Sequence, residues 1–169
     1  NIGTDICGRL RVVHDIKENQ SSEKRAPGFD KYPDYELRLR PASSLHQVIF
    51  NEAVIAASDN VIIVHEGKLS AVVYFPRADV DMEALGAEAT TSHCPFKGTA
   101  KYWSVEANGK SSAQAAWSYE EPYAEVAALR GYIAFYMDKM DCHWRNGIEL
   151  PLIGPGPCEG DECDEQQAA

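Results

Sequence analysis

Cys94 follows His93 directly, and Lys97 stands three residues further on, across Pro95 and Phe96. A thiol beside an imidazole is the pairing from which a thiolate nucleophile and its base are built, and a lysine folded back over the turn would lower the thiol pKa. Neighbours on an extended segment point to opposite faces, so His93 serves Cys94 only if the turn reorients it. The competing reading is a small buried thiol and a turn histidine bonded to backbone. His93-Cys94 and Cys142-His143 together offer four nitrogen or sulfur ligands. Their spacing matches no zinc signature, no Cys-x-x-Cys is present, and adjacent ligands face apart, so no metal site is expected. Asp79 and Asp81, with Glu83, have the two-residue separation that puts two carboxylates on one strand face, as magnesium-dependent nucleotidyl transfer uses them. The turn Gly67-Lys68-Leu69-Ser70 is not a phosphate cradle, so these carboxylates read better as caps and surface charge.

A different chemistry is carried by Tyr74, Tyr102, Trp103, Trp117, Tyr119, Phe135 and Tyr136, which fall on several predicted strands. About half of these rings must be plain core. Tyrosine and tryptophan also carry polar tips, and Arg77, His93 and Lys97 are close in sequence. An apolar pocket with a few polar groups at its mouth is the usual form of a small-ligand site. The cationic Arg77 and Lys97 suit an anionic ligand such as a carboxylate or phosphate.

The elements that must position these residues are strands. Alternation from Tyr35 to Arg40 predicts a strand ending at Pro41. Residues 47–50 and 53–56 flank Asn51-Glu52 as a hairpin without the glycine a primed turn prefers, although Asn51 tolerates positive φ. Residues 61–64 and 69–75 flank a second hairpin turn with Gly67, and Pro76 stops that strand. A short helical turn is predicted over 79–85. A bend at Cys94-Pro95 and Gly98 leads into a strand over 99–105, and Asn108-Gly109 turns it back into 113–119. Another helical turn within 122–130 ends at Gly131, and 132–137 is the last clear strand. Roughly eight short strands at regular spacing, with no long amphipathic helix, predict an all-β domain of two small packed antiparallel sheets. Residues 1–34 are expected as an extension or linker, 35–141 as the domain, and 142–169 as a Gly/Pro-rich acidic tail.

A net charge of −10 on 169 residues argues against a duplex nucleic acid held through its phosphates. No apolar run has the length of a membrane-spanning helix, and Asp5, Arg9 and Arg11 interrupt any secretory apolar stretch. Five cysteines without framework spacing read as reduced thiols, which predicts a cytoplasmic protein.

Tyr74-Phe75-Pro76-Arg77-Ala78-Asp79-Val80, His93-Cys94-Pro95-Phe96-Lys97-Gly98, Tyr102-Trp103, Ala116-Trp117-Ser118-Tyr119 and residues 132–136 stand in an order and spacing that resemble a known family. It is the domain of unknown function family 427, which also carries a nucleotidyltransferase-like label. The resemblance runs over 35–141 and implies a compact, mostly antiparallel β domain of two small sheets around a pocket. It implies no proven reaction, and the cofactor stays unknown. Three places depart from the family: Asn51-Glu52 lacks the usual glycine, Phe96 stands where tyrosine is common, and Asp141-Cys142-His143-Trp144 differs from the usual aromatic and acidic ending.

The expectation is a small-molecule-binding domain, its pocket lined by Tyr74, Arg77, His93, Cys94, Lys97, Tyr102, Trp117 and Tyr136. One alternative is an enzyme with Cys94 as its nucleophile. Another is a structural or interaction module acting through the acidic tail or a sheet edge.

Overall fold

The computed structural model describes residues 24–153. The expected extension up to residue 23, with Cys7, and the acidic residues and cysteines of the tail from 154 onward lie outside the described residues. The fold is all-β, as the alternation predicted. Eleven strands form two antiparallel sheets: β1 (Leu37–Ala42), β2 (His46–Phe50), β3 (Ala53–Ser58), β4 (Val61–Glu66), β5 (Val72–Pro76), β6 (Leu85–Cys94), β7 (Gly98–Ala107), β8 (Lys110–Tyr119), β9 (Tyr132–Phe135), β10 (Cys142–Arg145) and β11 (Ile148–Leu150). The large sheet has the order β1-β4-β5-β9-β8-β7-β6, and the small one β11-β10-β2-β3.

The predicted turns close these strands. Asn51 and Glu52 both take positive φ, 45° and 67°, so the glycine-free hairpin is made after all. The Asn51 side chain then donates to Ala107 O at 2.9 Å, and Asn108 donates back to Asn51 O at 2.7 Å, which ties the tips of the β2–β3 and β7–β8 hairpins together. Pro41 lies inside β1 opposite Ile62 rather than ending it. β1 is an edge strand, where a missing N–H is tolerated.

Three strands were not anticipated. β6 is largely exposed and irregular in register between Ala87 and Thr91, so it carries no apolar alternation to read. β10 and β11 form a hairpin about Asn146 and Gly147, both at positive φ (49° and 78°), and β10 pairs with β2 inside the small sheet. This segment lay within the expected tail. At the other end, residues 24–36 pack back on the large sheet: Ala26 and Gly28 are buried, and Gly28 N donates to Pro95 O at 3.0 Å within a one-turn helix, α1 (Gly28–Lys31).

The strand period assigns the large sheet two different faces. Val61 and Ile63 of β4, Val73 and Phe75 of β5, and Ile133 and Phe135 of β9 pack towards the small sheet with Val48, Phe50 and Ile55. Ile62, Val64, Tyr74, Ala134, Tyr102, Trp117 and Tyr119 form a second core on the opposite face. That aromatic face is covered by residues 24–36 and by a 3-10 segment over Ala124–Leu129.

Candidate functional site

Period two carries Glu66, two residues past Val64, onto the aromatic face at the end of β4. Both Glu66 and Lys97 are buried there, and Lys97 Nζ donates to Glu66 Oε2. The Tyr35 hydroxyl donates to Glu66 Oε1 at 2.6 Å, and its ring stacks on Phe96 with centroids 3.7 Å apart. The turn that presents Lys97 needs Gly98. Its φ is +112°, and a Cβ there would stand 3.1 Å from the Glu121 carbonyl oxygen.

Beside this ion pair, Trp117 Nε1 donates to Tyr74 Oη at 3.1 Å, and the Tyr136 ring meets Trp117 at 4.7 Å. Burial pushes the Tyr74 hydroxyl pKa well up, only partly offset by the Lys97 charge and the Trp117 hydrogen bond. Glu66 and Cys94 act on the same hydroxyl and raise it further. Tyr74 is therefore a neutral donor or acceptor at any physiological pH.

Tyr74, Cys94, Lys97, Tyr102, Trp117 and Tyr136 thus share one face of the large sheet. Arg77 and His93 do not join them. Arg77 donates to Glu120 at 2.5 Å and lies 5.3 Å over the Trp103 ring. Ser118 Oγ donates to the same Glu120 oxygen and accepts from Trp103 Nε1 at 3.0 Å. Burial tends to raise the Glu120 pKa, but the Ser118 and Arg77 hydrogen bonds and the nearby Arg77 and Lys101 charges prevail and hold it below the usual range.

His93 is exposed and bonds Tyr123 Oη through Nε2 at 2.9 Å, while Cys94 beside it is fully buried. The imidazole and the thiol diverge, as neighbours on a strand do. Burial first, and then Cys94, raise the Tyr123 pKa. Tyr102 shares a hydrogen bond of 2.8 Å with Ser92.

The paired carboxylates are engaged locally. Asp79 accepts from Ser58 at 2.6 Å, and Asp81 caps a 3-10 turn by accepting from Glu83 N at 3.2 Å. Among the described residues no three of His, Cys, Asp and Glu come together to hold a metal ion.

The sequence reading missed Glu66 and Tyr35. The turn expected about Gly67 takes in Glu66, although Glu66 ends β4 and continues the face set by Ile62 and Val64. Also missed was His46, and His143 was weighed only as a metal ligand beside Cys142; the two histidines meet in the interior at 3.0 Å between Nδ1 and Nε2. The overlooked signal was Asn146-Gly147, the same hairpin dipeptide that was recognised at Asn108-Gly109. It would have made β10 a strand and His143 an inward residue.

A family described as a domain of unknown function (DUF427), labelled as a nucleotidyltransferase, matches residues 38–146. The chain belongs to this family. The match covers every strand except β11 and all but the first residue of β1. It includes Glu66, Tyr74, Cys94, Lys97, Trp117 and Tyr136, and excludes Tyr35. No curated protein matches the chain. Membership of the DUF427 family fixes the domain and not a reaction. Among the described residues no helix is long and apolar enough to cross a membrane.

Proposed function

We propose that this DUF427 domain binds a small organic molecule at the polar cluster on the aromatic face. The observation that carries this reading is the buried Glu66–Lys97 pair, roofed by Tyr35 and set beside Tyr74, Trp117 and Tyr136. Removing two charges from water costs several kcal/mol each, and apolar side chains of similar volume often serve a fold as well or better. Titratable groups gathered in an apolar layer from β4, β5 and the β6–β7 turn are a functional-site candidate with a physical rationale. Because Lys97 already holds a carboxylate, the cluster offers a ligand both a donor and an acceptor. A polar neutral or zwitterionic molecule with a flat apolar body fits that chemistry, the body stacking on Tyr136, the half-buried ring of the cluster.

Cys94 enters this reading as a wall of the site. His93, the base that the nucleophile reading asks for, turns to Tyr123 instead of Cys94, so that reading gains no support from the geometry.

The test is a screen of small polar organic molecules by NMR on the full chain, following the Trp117 indole resonance. Compounds are expected that shift it saturably in the wild type and lose binding in Trp117→Phe and in Glu66→Leu/Lys97→Met. A screen in which no compound moves that resonance, or in which the hits bind both variants unchanged, overturns the proposal.

A further inference from the structure

The opposite face of the large sheet holds a second feature that the aromatic cluster does not use. Between β1, β4 and β5 on one side and β2, β10 and β11 on the other lies a cleft of about 470 Å³. That volume is within the range of small-ligand sites, roughly 300–1,000 Å³. In a chain with 26 acidic residues against 16 lysines and arginines, chance favours carboxylates on any open wall. Among the described residues that line the cleft none is Asp or Glu, whereas Arg40, Arg145 and three histidines, His46, His65 and His143, all contribute.

Among the described residues no carboxylate lies within ion-pair distance of Arg40 or Arg145. Glu36, the carboxylate two residues before Arg38 at the neighbouring rim, is bound to Arg38. The histidines add an independent sign. His46 is 1% exposed, its Nδ1 is joined to His143 Nε2, and its Nε2 has no hydrogen-bond partner among the described residues. A buried polar atom left without a partner costs free energy that a ligand or water would recover. When His143 is the donor within the pair, His46 carries its proton on Nε2 and is a donor still to be used. Val73, Phe135 and Leu150 supply an apolar wall.

We infer that this cleft is a binding site for a small amphipathic anion, its carboxylate or phosphate head held by Arg40 and Arg145 and its apolar body lying on Val73 and Phe135. Guanidinium groups suit such a head because their donors match its oxygens in pairs. The site is distinct from the aromatic cluster, since β4 sends Ile63 and His65 into the cleft and Val64 and Glu66 to the other side. Ligands could therefore occupy both faces without competing.

The experiment is a titration of the full chain, labelled at its histidine rings, with phenyl phosphate, using phenol as the uncharged control and holding ionic strength constant. Saturable shifts are expected for the His46, His65 and His143 rings, with the exposed His93 ring unmoved and phenol without effect. Arg40→Gln and Arg145→Gln alter exposed side chains and retain the fold. Each is expected to weaken phenyl phosphate binding by about tenfold, the loss of a charge-assisted contact. Equal shifts at His93, equal binding of phenol, unchanged affinity in both arginine variants or the absence of a saturable shift would each overturn the inference.

Discussion

The two faces of the large sheet treat charge in opposite ways. On the aromatic face, Lys97 and Glu66 are buried and bonded to each other, Tyr35 closes over them, and Trp117 answers Tyr74. On the face towards the small sheet, Arg40 and Arg145 stand exposed at an open cleft without a carboxylate among the described residues, above a buried histidine pair. A charge paired in a low-dielectric layer contributes to or costs stability, whereas one left at a rim contributes field and selectivity. The same net-acidic chain therefore keeps one polar cluster for its interior and one cationic surface for something else.

The sharpest way to break this comparison is to remove one charge from each face. Lys97→Met leaves Glu66 buried without its counter-ion and is expected to cost about 3–5 kcal/mol in urea unfolding. Arg145→Gln removes a charge of the same sign from the cleft, and its expected effect is the smallest of those considered, within about 0.5 kcal/mol. Similar losses in the two variants would erase the distinction between the faces.

Acid should act through the cleft side first. Burial, then His46 and Arg145, depress the His143 pKa from 6.5 to about 4, and burial and Arg145 also lower that of His46. The unfolded chain then takes up protons that the folded chain refuses. The stability due to the neutral pair is fully present above about pH 6.5 and falls as the pH drops towards 4. Glu120, held below 4.5, adds its own loss only at lower pH. Unfolding free energy measured against pH should decline over the upper window in the wild type and decline less steeply there in His143→Gln, where His46 alone remains. An unchanged slope would remove His143 from the account.

A smaller effect tests the roof of the aromatic face. A Cβ on Gly28 would stand 2.6 Å from the Phe96 ring, the ring on which Tyr35 stacks. Gly28→Ala is expected to cost about 1–3 kcal/mol by overpacking, with the amides of residues 26–35 exchanging faster than in the wild type. A neutral substitution would mean that the roof contributes little to closing over Glu66.

Most of the fold was legible because half-buried antiparallel strands write their period into the chain. The hairpins at Asn51-Glu52, Gly67 and Asn108-Gly109 each have turn residues whose chemistry can be named, and all three formed. β6 was illegible because both of its faces are largely exposed, so its pairing with β7 rests on backbone hydrogen bonds rather than pattern. The site was legible only in part. Tyr74 and Trp117 were both named as candidate rings, but their meeting on one face of the large sheet brings β5 and β8 together across β9, which the alternation of neither strand supplies alone. That Lys97 would meet Glu66 depended on a contact across 31 residues of sequence, which no local rule supplies. Arg77 and His93 lie near the motif in sequence, yet Arg77 turns to Glu120 and His93 to Tyr123, because neighbouring positions on a strand or bend diverge.

The most direct test of the central claim is the stability of Glu66→Leu/Lys97→Met, measured by urea unfolding beside the wild type. If the buried pair is kept for binding rather than for folding, the double variant should be at least as stable as the wild type, by up to about 1–4 kcal/mol, while ligand shifts at Trp117 disappear. A double variant that loses as much stability as Lys97→Met alone would contradict the account and make the pair a structural element of the aromatic core.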